Sequence, residues 1–222
     1  MINIYVICEG QTEEAFVNQM LAEVFLSRNI CLTAVLIGVS GHKGGIVNYN
    51  RVCSNIKNLL QTPNFYVTTL VDFYGLARDF PGLEEALSRS DYQNRQETLI
   101  ENWRNKLTED IDAYSLERFI PYVQMYEFEA LLFSSPGVLA ESLGDSKLKR
   151  KFQCIRDGVS SPEEINNSPQ TAPSKQIQKL VPSYEKVVNG TYIAAEISLD
   201  VIRQQCTLFD RWLTQLEHLP EL

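Results

Sequence analysis

Four acidic residues each follow an apolar run of the sequence, and they are the residues best suited to chemistry: Glu9, Asp72, Glu127 and Glu129. Carboxylates are the hard oxygen ligands that Mg²⁺ prefers, and a few of them suffice when water and a substrate phosphate complete the coordination shell. Bound metal ions can activate a water molecule and stabilise the leaving oxygen of a phosphodiester. We therefore predict that these four acids bind Mg²⁺ or Mn²⁺, and that Glu9, Asp72 and Glu127 are catalytic.

These acids can act together only if the apolar runs form neighbouring parallel strands. Ile2–Cys8 is apolar on both faces and rich in β-branched and aromatic residues, which is typical of a buried strand in a parallel sheet. The same character is found in three further runs, Ile30–Val39, Phe65–Val71 and Phe119–Tyr126. The segments between these runs have apolar residues at helical spacing. Parallel strands bring their carboxyl ends to one edge of the sheet. Glu9 and Asp72 would then lie side by side if the first and third strands are neighbours or nearly so.

Each acid also has a purely structural interpretation. Glu9 can be a solvated turn residue before a helix that Thr12 caps. Glu127 and Glu129 open a predicted helix, where the helix dipole favours a negative charge, so one of them can be structural only. One acid of the set can instead stay protonated, because neighbouring carboxylates raise its pKa.

A glycine-rich segment, 40–45, follows the second apolar run and precedes a predicted helix. Backbone N–H groups in such a loop can cradle a phosphate, and Lys43, Gly44 and Gly45 are the candidate cofactor-binding residues. The glycine spacing is not that of a P-loop, and a flexible connection is the alternative. Lys43 or Lys175 would stabilise phosphate charge, with Lys175 as a catalytic candidate, unless both are simply exposed lysines.

The composition limits where the protein acts and what it binds. The net charge of −8 argues against strong nucleic-acid binding by this chain alone, although a local basic groove or a cationic partner stays open. Five scattered cysteines lack metal-ligand spacing and indicate reduced thiols, hence the cytoplasm. The N-terminus has no basic segment ahead of an apolar stretch, so we expect it not to be a secretory signal. No apolar run reaches the roughly 18 residues of a membrane span.

We predict an α/β fold with a mostly parallel sheet of about four strands flanked by helices, in residues 1–133. Residues 134–222 form a helical C-terminal extension packed on this core. Within the extension, a basic segment contains Lys147, Lys149, Arg150, Lys151 and Arg156. Its simplest interpretation is a set of surface charges on a helix.

A set of short motifs, spread over nearly the whole chain, resembles the bacterial family called domain of unknown function 4276. The motifs are Cys-Glu-Gly-Gln-Thr-Glu (8–13), Gly-His-Lys-Gly-Gly (41–45), Asp-Phe-Tyr-Gly (72–75), Asp-Phe-Pro-Gly (79–82), Tyr-Glu-Phe-Glu-Ala-Leu-Leu-Phe (126–133), Pro-Glu-Glu-Ile-Asn (162–166) and Ala-Pro-Ser-Lys (172–175).

That family in turn resembles the Toprim domain of topoisomerases, primases and related nucleases. The resemblance implies a Rossmannoid parallel sheet with a glutamate after the first strand, which Glu9 matches. It also implies an Asp-x-Asp pair after a later strand, where Asp72 matches the first position but Tyr74 stands at the second. Either Glu127 or Glu129 substitutes for the missing acid, or the metal site is reduced or lost. Family members are often encoded beside an ATPase resembling ATP-binding-cassette proteins, which implies a subunit in anti-phage defence.

Three functions follow from these observations. The first is a Toprim-like metal-dependent nuclease or phosphotransfer subunit that acts on DNA or RNA with an ATPase partner. The second is a non-catalytic effector or regulatory subunit that docks on an ATPase. The third is a small nucleotide- or phosphate-binding protein that uses the Gly41–Gly45 loop.

Overall fold

The computed structural model describes residues 1–37, 46–165, 168 and 171–222, and it confirms the predicted α/β fold with a mostly parallel sheet. The strands are β1 (Ile2–Cys8), β2 (Ile30–Leu36), β3 (Phe65–Asp72), β4 (Phe119–Ile120) and β5 (Val123–Gln124). They are arranged in the order β2-β1-β3-β4, with β5 also pairing with β3.

Strands β1 and β3 are the centre of this sheet and pair with each other in parallel. The chain runs from β1 to β2 on one side and then crosses to β3 and β4 on the other. The strand order therefore reverses between β1 and β3, which is the place where Rossmann-like sheets bind ligands. The side chains of Ile4, Val6, Ile7 and Cys8 are fully buried, as predicted for a central strand.

The chain forms two compact units. The first contains Met1–Val123 and Thr214–Leu222, and the second contains Gln124–Leu213. The domain limits predicted from the sequence, 1–133 and 134–222, stay a prediction.

The described part of the first unit contains α1 (Gln11–Phe16), α2 (Ala22–Leu26), α3 (Tyr49–Leu60), α4 (Leu83–Leu87), α5 (Tyr92–Leu107) and α6 (Ala113–Leu116). A π-helical segment, Val17–Leu21, joins α1 to α2. The second unit contributes α7 (Pro136–Ser142), α8 (Lys149–Arg156), α9 (Pro173–Leu180), α10 (Lys186–Ile197), α11 (Leu199–Gln205) and α12 (Thr207–Glu217), whose end returns to the first unit. Within the described ranges, no helix combines the length and the apolar composition that a bilayer span needs.

The prediction of one continuous strand over Phe119–Tyr126 is wrong, because two short strands flank Pro121. Proline has no N–H to donate to a sheet ladder. The hydroxyl of Thr69 replaces the missing ladder bonds, since it donates to the Tyr122 carbonyl at 2.7 Å and accepts the Tyr122 N–H at 3.0 Å. Thr68 similarly donates to the Ile120 carbonyl at 2.6 Å.

Two helix limits have local causes. Helix α5 begins at Tyr92, because the Asp91 side chain caps it by accepting the Asn94 N–H at 2.8 Å. The closing helical segment is divided at Cys206 into α11 and α12.

The break at Cys206 exposes the first N–H groups of α12, and Glu163 satisfies two of them. Its two carboxylate oxygens accept the N–H groups of Leu208 and Phe209, each at 2.9 Å. These first-turn donors have no partner inside their own helix. Glu163 itself is fully buried, so burial raises the pKa of its carboxyl to about 7 although these hydrogen bonds and that of Ser161 oppose the rise.

This shifted pKa predicts a pH-dependent stability. The folded carboxyl holds its proton more tightly than the unfolded one, whose pKa is 4.5. Its stabilising contribution is therefore complete below pH 4.5 and is lost as the pH rises to about 7, by roughly 3 kcal/mol. We expect the urea midpoint to fall over this range in the wild type and to fall less in Glu163→Gln, while the exposed-residue control Glu196→Gln keeps the wild-type slope. Equal slopes in all three proteins would contradict the assignment.

Candidate functional site

Glu9 and Asp72 meet at the carboxyl ends of β1 and β3. Cys8 lies opposite Leu70 in the parallel register, and the next residue, Glu9, donates its N–H to the Leu70 carbonyl at 3.2 Å. The side chain of Glu9 then reaches across, where its Oε2 accepts the N–H of Asp72 at 3.0 Å. Asp72 is buried and Glu9 is half-buried. The first and third strands are neighbours, which was the condition for Glu9 and Asp72 to lie side by side, and we call these two acids the strand-end pair.

The turn after β3 leaves space for the Glu9 carboxylate. Residues Phe73–Gly75 form a 3₁₀ turn that brings the Gly75 backbone against this side chain. A Cβ at position 75 would lie 2.1 Å from Glu9 Oε2, which is far inside van der Waals contact. Only glycine fits here while Glu9 keeps its position.

The donor set suits a magnesium ion that keeps part of its hydration shell. The strand-end pair offers two carboxylates, and Mg²⁺ is commonly held by one or two carboxylates together with water and substrate phosphate. Glu9 can hydrogen-bond to Asp72 and still offer lone pairs, because a carboxylate has about four acceptor sites. Tyr74 stands where a further acid is expected, and the part of the chain that the structure describes contains no group of three or more His, Cys, Asp or Glu able to hold a metal. These two carboxylates would hold Mg²⁺ together with water and substrate oxygens.

Glu127 and Glu129 belong to the second unit, where they share the ammonium group of Lys186. Lys186 Nζ lies 3.1 Å from Glu129 Oε2 and 3.5 Å from Glu127 Oε1. The hydroxyl of Tyr184 lies 3.4 Å from the other oxygen of Glu129, and donates to it. We call these four residues the lysine cluster.

The sequence positions the two acids at the start of a 3₁₀ helix, Phe128–Ser134, which buries Glu129 completely. Glu127 is its N-cap residue, and its Oε2 accepts the N–H of Ser174 at 2.9 Å, in the first turn of α9. The cluster thus connects the 3₁₀ helix to the N-termini of α9 and α10.

Burial controls the electrostatics of the lysine cluster. Desolvation raises the pKa of the Glu129 carboxyl, and the Lys186 charge opposes this rise. Burial and the nearby Glu129 raise the pKa of Tyr184 as well, which keeps its hydroxyl as a hydrogen-bond donor. Because Lys186 forms an ion pair with each acid, the arrangement has a sufficient structural reason. The predicted metal-binding role of Glu127 and Glu129 stays a prediction.

The other predicted site residues lie apart from these contacts or outside the described ranges. Lys175 is exposed on α9, with its Nζ 3.3 Å from Gln178 Oε1. Lys43, Gly44 and Gly45 lie outside the described residues. Sequence reasoning assigned no role to Gly75, although the motif Asp-Phe-Tyr-Gly contains it. It also missed Tyr184 and Lys186, which lie more than fifty residues along the chain from Glu129.

The chain belongs to the family described as domain of unknown function 4276, whose family model matches residues 8–217. The match runs from the end of β1 to the end of α12 and so includes both acid pairs. No curated protein and no solved structure matches the chain. The family confirms the resemblance seen in the motifs and leaves the activity open.

We predict that Gly75→Ala destabilises the protein modestly, because its Cβ would displace the carboxylate at the flexible end of the Glu9 side chain. The Asp72 N–H would then lose its hydrogen bond to Glu9, which costs roughly 0.5–1.5 kcal/mol in the free energy of unfolding. The loss should be much smaller in the background Glu9→Ala, which removes the colliding carboxylate. Gly158→Ala is the matched control, since its Cβ would come no closer than 3.4 Å to another atom. Urea denaturation of these variants provides the measurement, and equal losses in both backgrounds would contradict the contact.

We predict that Lys186→Met destabilises the protein by roughly 1–3 kcal/mol, because Glu127 and Glu129 lose their shared cation. This is less than the cost of breaking a fully buried pair, because the Lys186 side chain is 39% exposed. The same substitution should cost less in the background Glu129→Gln, which has no buried charge at that position. A double-mutant cycle measures this coupling, with Lys179→Met on α9 as the exposed control. A coupling energy of zero would show that Lys186 does not act through Glu129.

Proposed function

We propose that this chain is a Mg²⁺- or Mn²⁺-dependent nuclease or related phosphotransfer subunit of Toprim-like type. The observation that supports it is the strand-end pair: two carboxylates from neighbouring central strands, brought together where the strand order reverses. Ligand sites of open α/β sheets occur at this position. Two carboxylates there match the needs of a hydrated Mg²⁺ that also binds a phosphate.

The residues have separate tasks in this proposal. Glu9 and Asp72 hold the ion, which when bound supplies Lewis-acid stabilisation of phosphate charge and an activated water. The N–H of Asp72 orients the Glu9 carboxylate, and Gly75 keeps the adjacent backbone close without a side chain. Lys175 and the segment containing Lys43, Gly44 and Gly45 remain candidates for contacts with substrate phosphate.

A partner is part of the proposal. The net charge of −8 works against binding of a polyanion such as DNA or RNA. A partner with a cationic surface would supply the missing positive charge. We propose an ATPase resembling ATP-binding-cassette proteins, in a cytoplasmic complex that acts in anti-phage defence. The five free cysteines support the cytoplasm, because reducing compartments keep thiols unpaired.

One observation favours a second function, a non-catalytic effector or regulatory subunit on the same ATPase. Tyr74 replaces the second acid of the expected pair, and the described residues contain no third acid to complete a metal group. In this case the strand-end pair would keep only its structural hydrogen bond.

Calorimetric titration of Mg²⁺ and Mn²⁺ into the purified protein separates the two functions. We expect wild-type protein to bind the ions, and Glu9→Gln and Asp72→Asn each to weaken binding roughly tenfold or more, because each removes one of two charged ligands. Glu23→Gln, an exposed acid on α2, is the matched control and should bind as the wild type does. The same four proteins are then tested for metal-dependent cleavage of DNA and RNA, with and without the ATPase.

Cleavage that requires Glu9 and Asp72 would establish the nuclease. No binding of either ion by the wild type, even with oligonucleotide present, would contradict the nuclease and favour the regulatory subunit. Binding that survives in both variants would place the metal elsewhere and contradict the proposal.

A further inference from the structure

The second unit contains an open cleft of about 460 Å³, which we call the α8 cleft. One wall is the segment that contains Ser134, Ser135 and Gly137, and the other is the face of α8 that carries Lys149, Gln153 and Arg156. A volume of this size falls within the range of small-molecule sites and is larger than one phosphate group needs.

The three α8 residues face the cleft because of their spacing. Positions 149, 153 and 156 are separated by four and three residues, which places them on one side of a helix. Phe152 faces away, is fully buried, and packs edge-on against Phe133 with ring centroids 5.8 Å apart. The buried aromatic pair therefore fixes which side of α8 lines the cleft.

Two cations line the cleft, and neither forms an ion pair within the described chain. The side chain of Lys149 lies over Gly137, where an added Cβ would come within 3.5 Å of its Nζ. Its ammonium group makes no hydrogen bond to any described residue. Arg156 is held in place by uncharged acceptors, the carbonyls of Val159 and Ser160 and the side chain of Gln205.

The remaining charge in the lining is Asp157, whose Oδ1 accepts a hydrogen bond from Gln153 at 2.7 Å. The lining thus keeps an excess of positive charge. The surrounding sequence increases it, since residues 147–156 contain five lysines or arginines and no acid, in a chain whose net charge is −8. A local basic groove of this kind is compatible with the negative net charge of the whole chain.

We propose that the α8 cleft binds a phosphate group of a polynucleotide backbone. Lys149 contacts the phosphate as a mobile point charge, Arg156 as a fixed guanidinium, and Gln153 and Ser135 offer hydrogen-bond donors. The room beyond one phosphate accommodates the adjoining sugar. This assignment goes beyond the proposed function, because it uses residues of the second unit alone and requires no metal.

Fluorescence anisotropy of a labelled single-stranded oligonucleotide, with the full chain and excess EDTA, tests the proposal. We expect Lys149→Gln to weaken binding several-fold and Lys149→Arg to restore most of it. Lys151→Gln is the matched control, because it removes the same charge from the same helix outside the cleft, and it should change binding by less than about twofold. The logarithm of the binding constant falls linearly with the logarithm of the salt concentration, and Lys149→Gln should make this slope less steep by about 0.7, because one phosphate contact is lost. A change in folding alone would not alter the slope in this way.

Competition with inorganic pyrophosphate distinguishes a backbone site from a site for a free phosphate compound. Displacement of the oligonucleotide by pyrophosphate, with the same dependence on Lys149, supports the proposal. Equal losses in Lys149→Gln and Lys151→Gln would overturn it, as would pyrophosphate binding without oligonucleotide binding, or no binding of either. EDTA removes divalent ions throughout, so a failure here is separate from a failure of metal binding at Glu9 and Asp72.

Discussion

The hydrogen bond from the Asp72 N–H to the Glu9 carboxylate is the contact on which the candidate site depends. It exists because β1 and β3 are adjacent and parallel, so that the residues just beyond their carboxyl ends are neighbours. A shift of this register would separate the two acids. The same contact requires Gly75, because any larger residue would displace the carboxylate. The position of the strand-end pair thus follows from sheet pairing together with one glycine.

The second unit buries two acidic side chains, those of Glu129 and Glu163. Glu129 is fully buried, and a lone carboxylate there would be strongly disfavoured. Lys186 and Tyr184 supply a charge and a hydrogen bond. Glu163 is also buried, but its partners are the N–H groups at the start of α12. Buried acids in this unit therefore have identifiable structural partners, whereas the strand-end pair lies just beyond the carboxyl ends of two adjacent parallel strands.

Much of the sheet could be predicted from the sequence, because its central strands are continuous apolar runs. Ile2–Cys8 and the acid after it were recognisable from residue type and order alone. Pro121 and its compensation by Thr69 were not, since that exchange depends on which side chain of β3 lies opposite the proline. Lys186 carried no periodic signal, and its contact with Glu129 arises only when the second unit folds. The division at Cys206 likewise depends on Glu163, a cap provided by a distant segment.

The most direct test of the central claim is anomalous diffraction from crystals of the protein soaked in Mn²⁺, with an oligonucleotide present. The account predicts one strong anomalous peak at bonding distance, about 2.0–2.3 Å, from carboxylate oxygens of both Glu9 and Asp72. A peak bound only by Glu127 and Glu129, with Lys186 displaced, would contradict it. The absence of any anomalous peak in crystals saturated with Mn²⁺ would contradict the account as well.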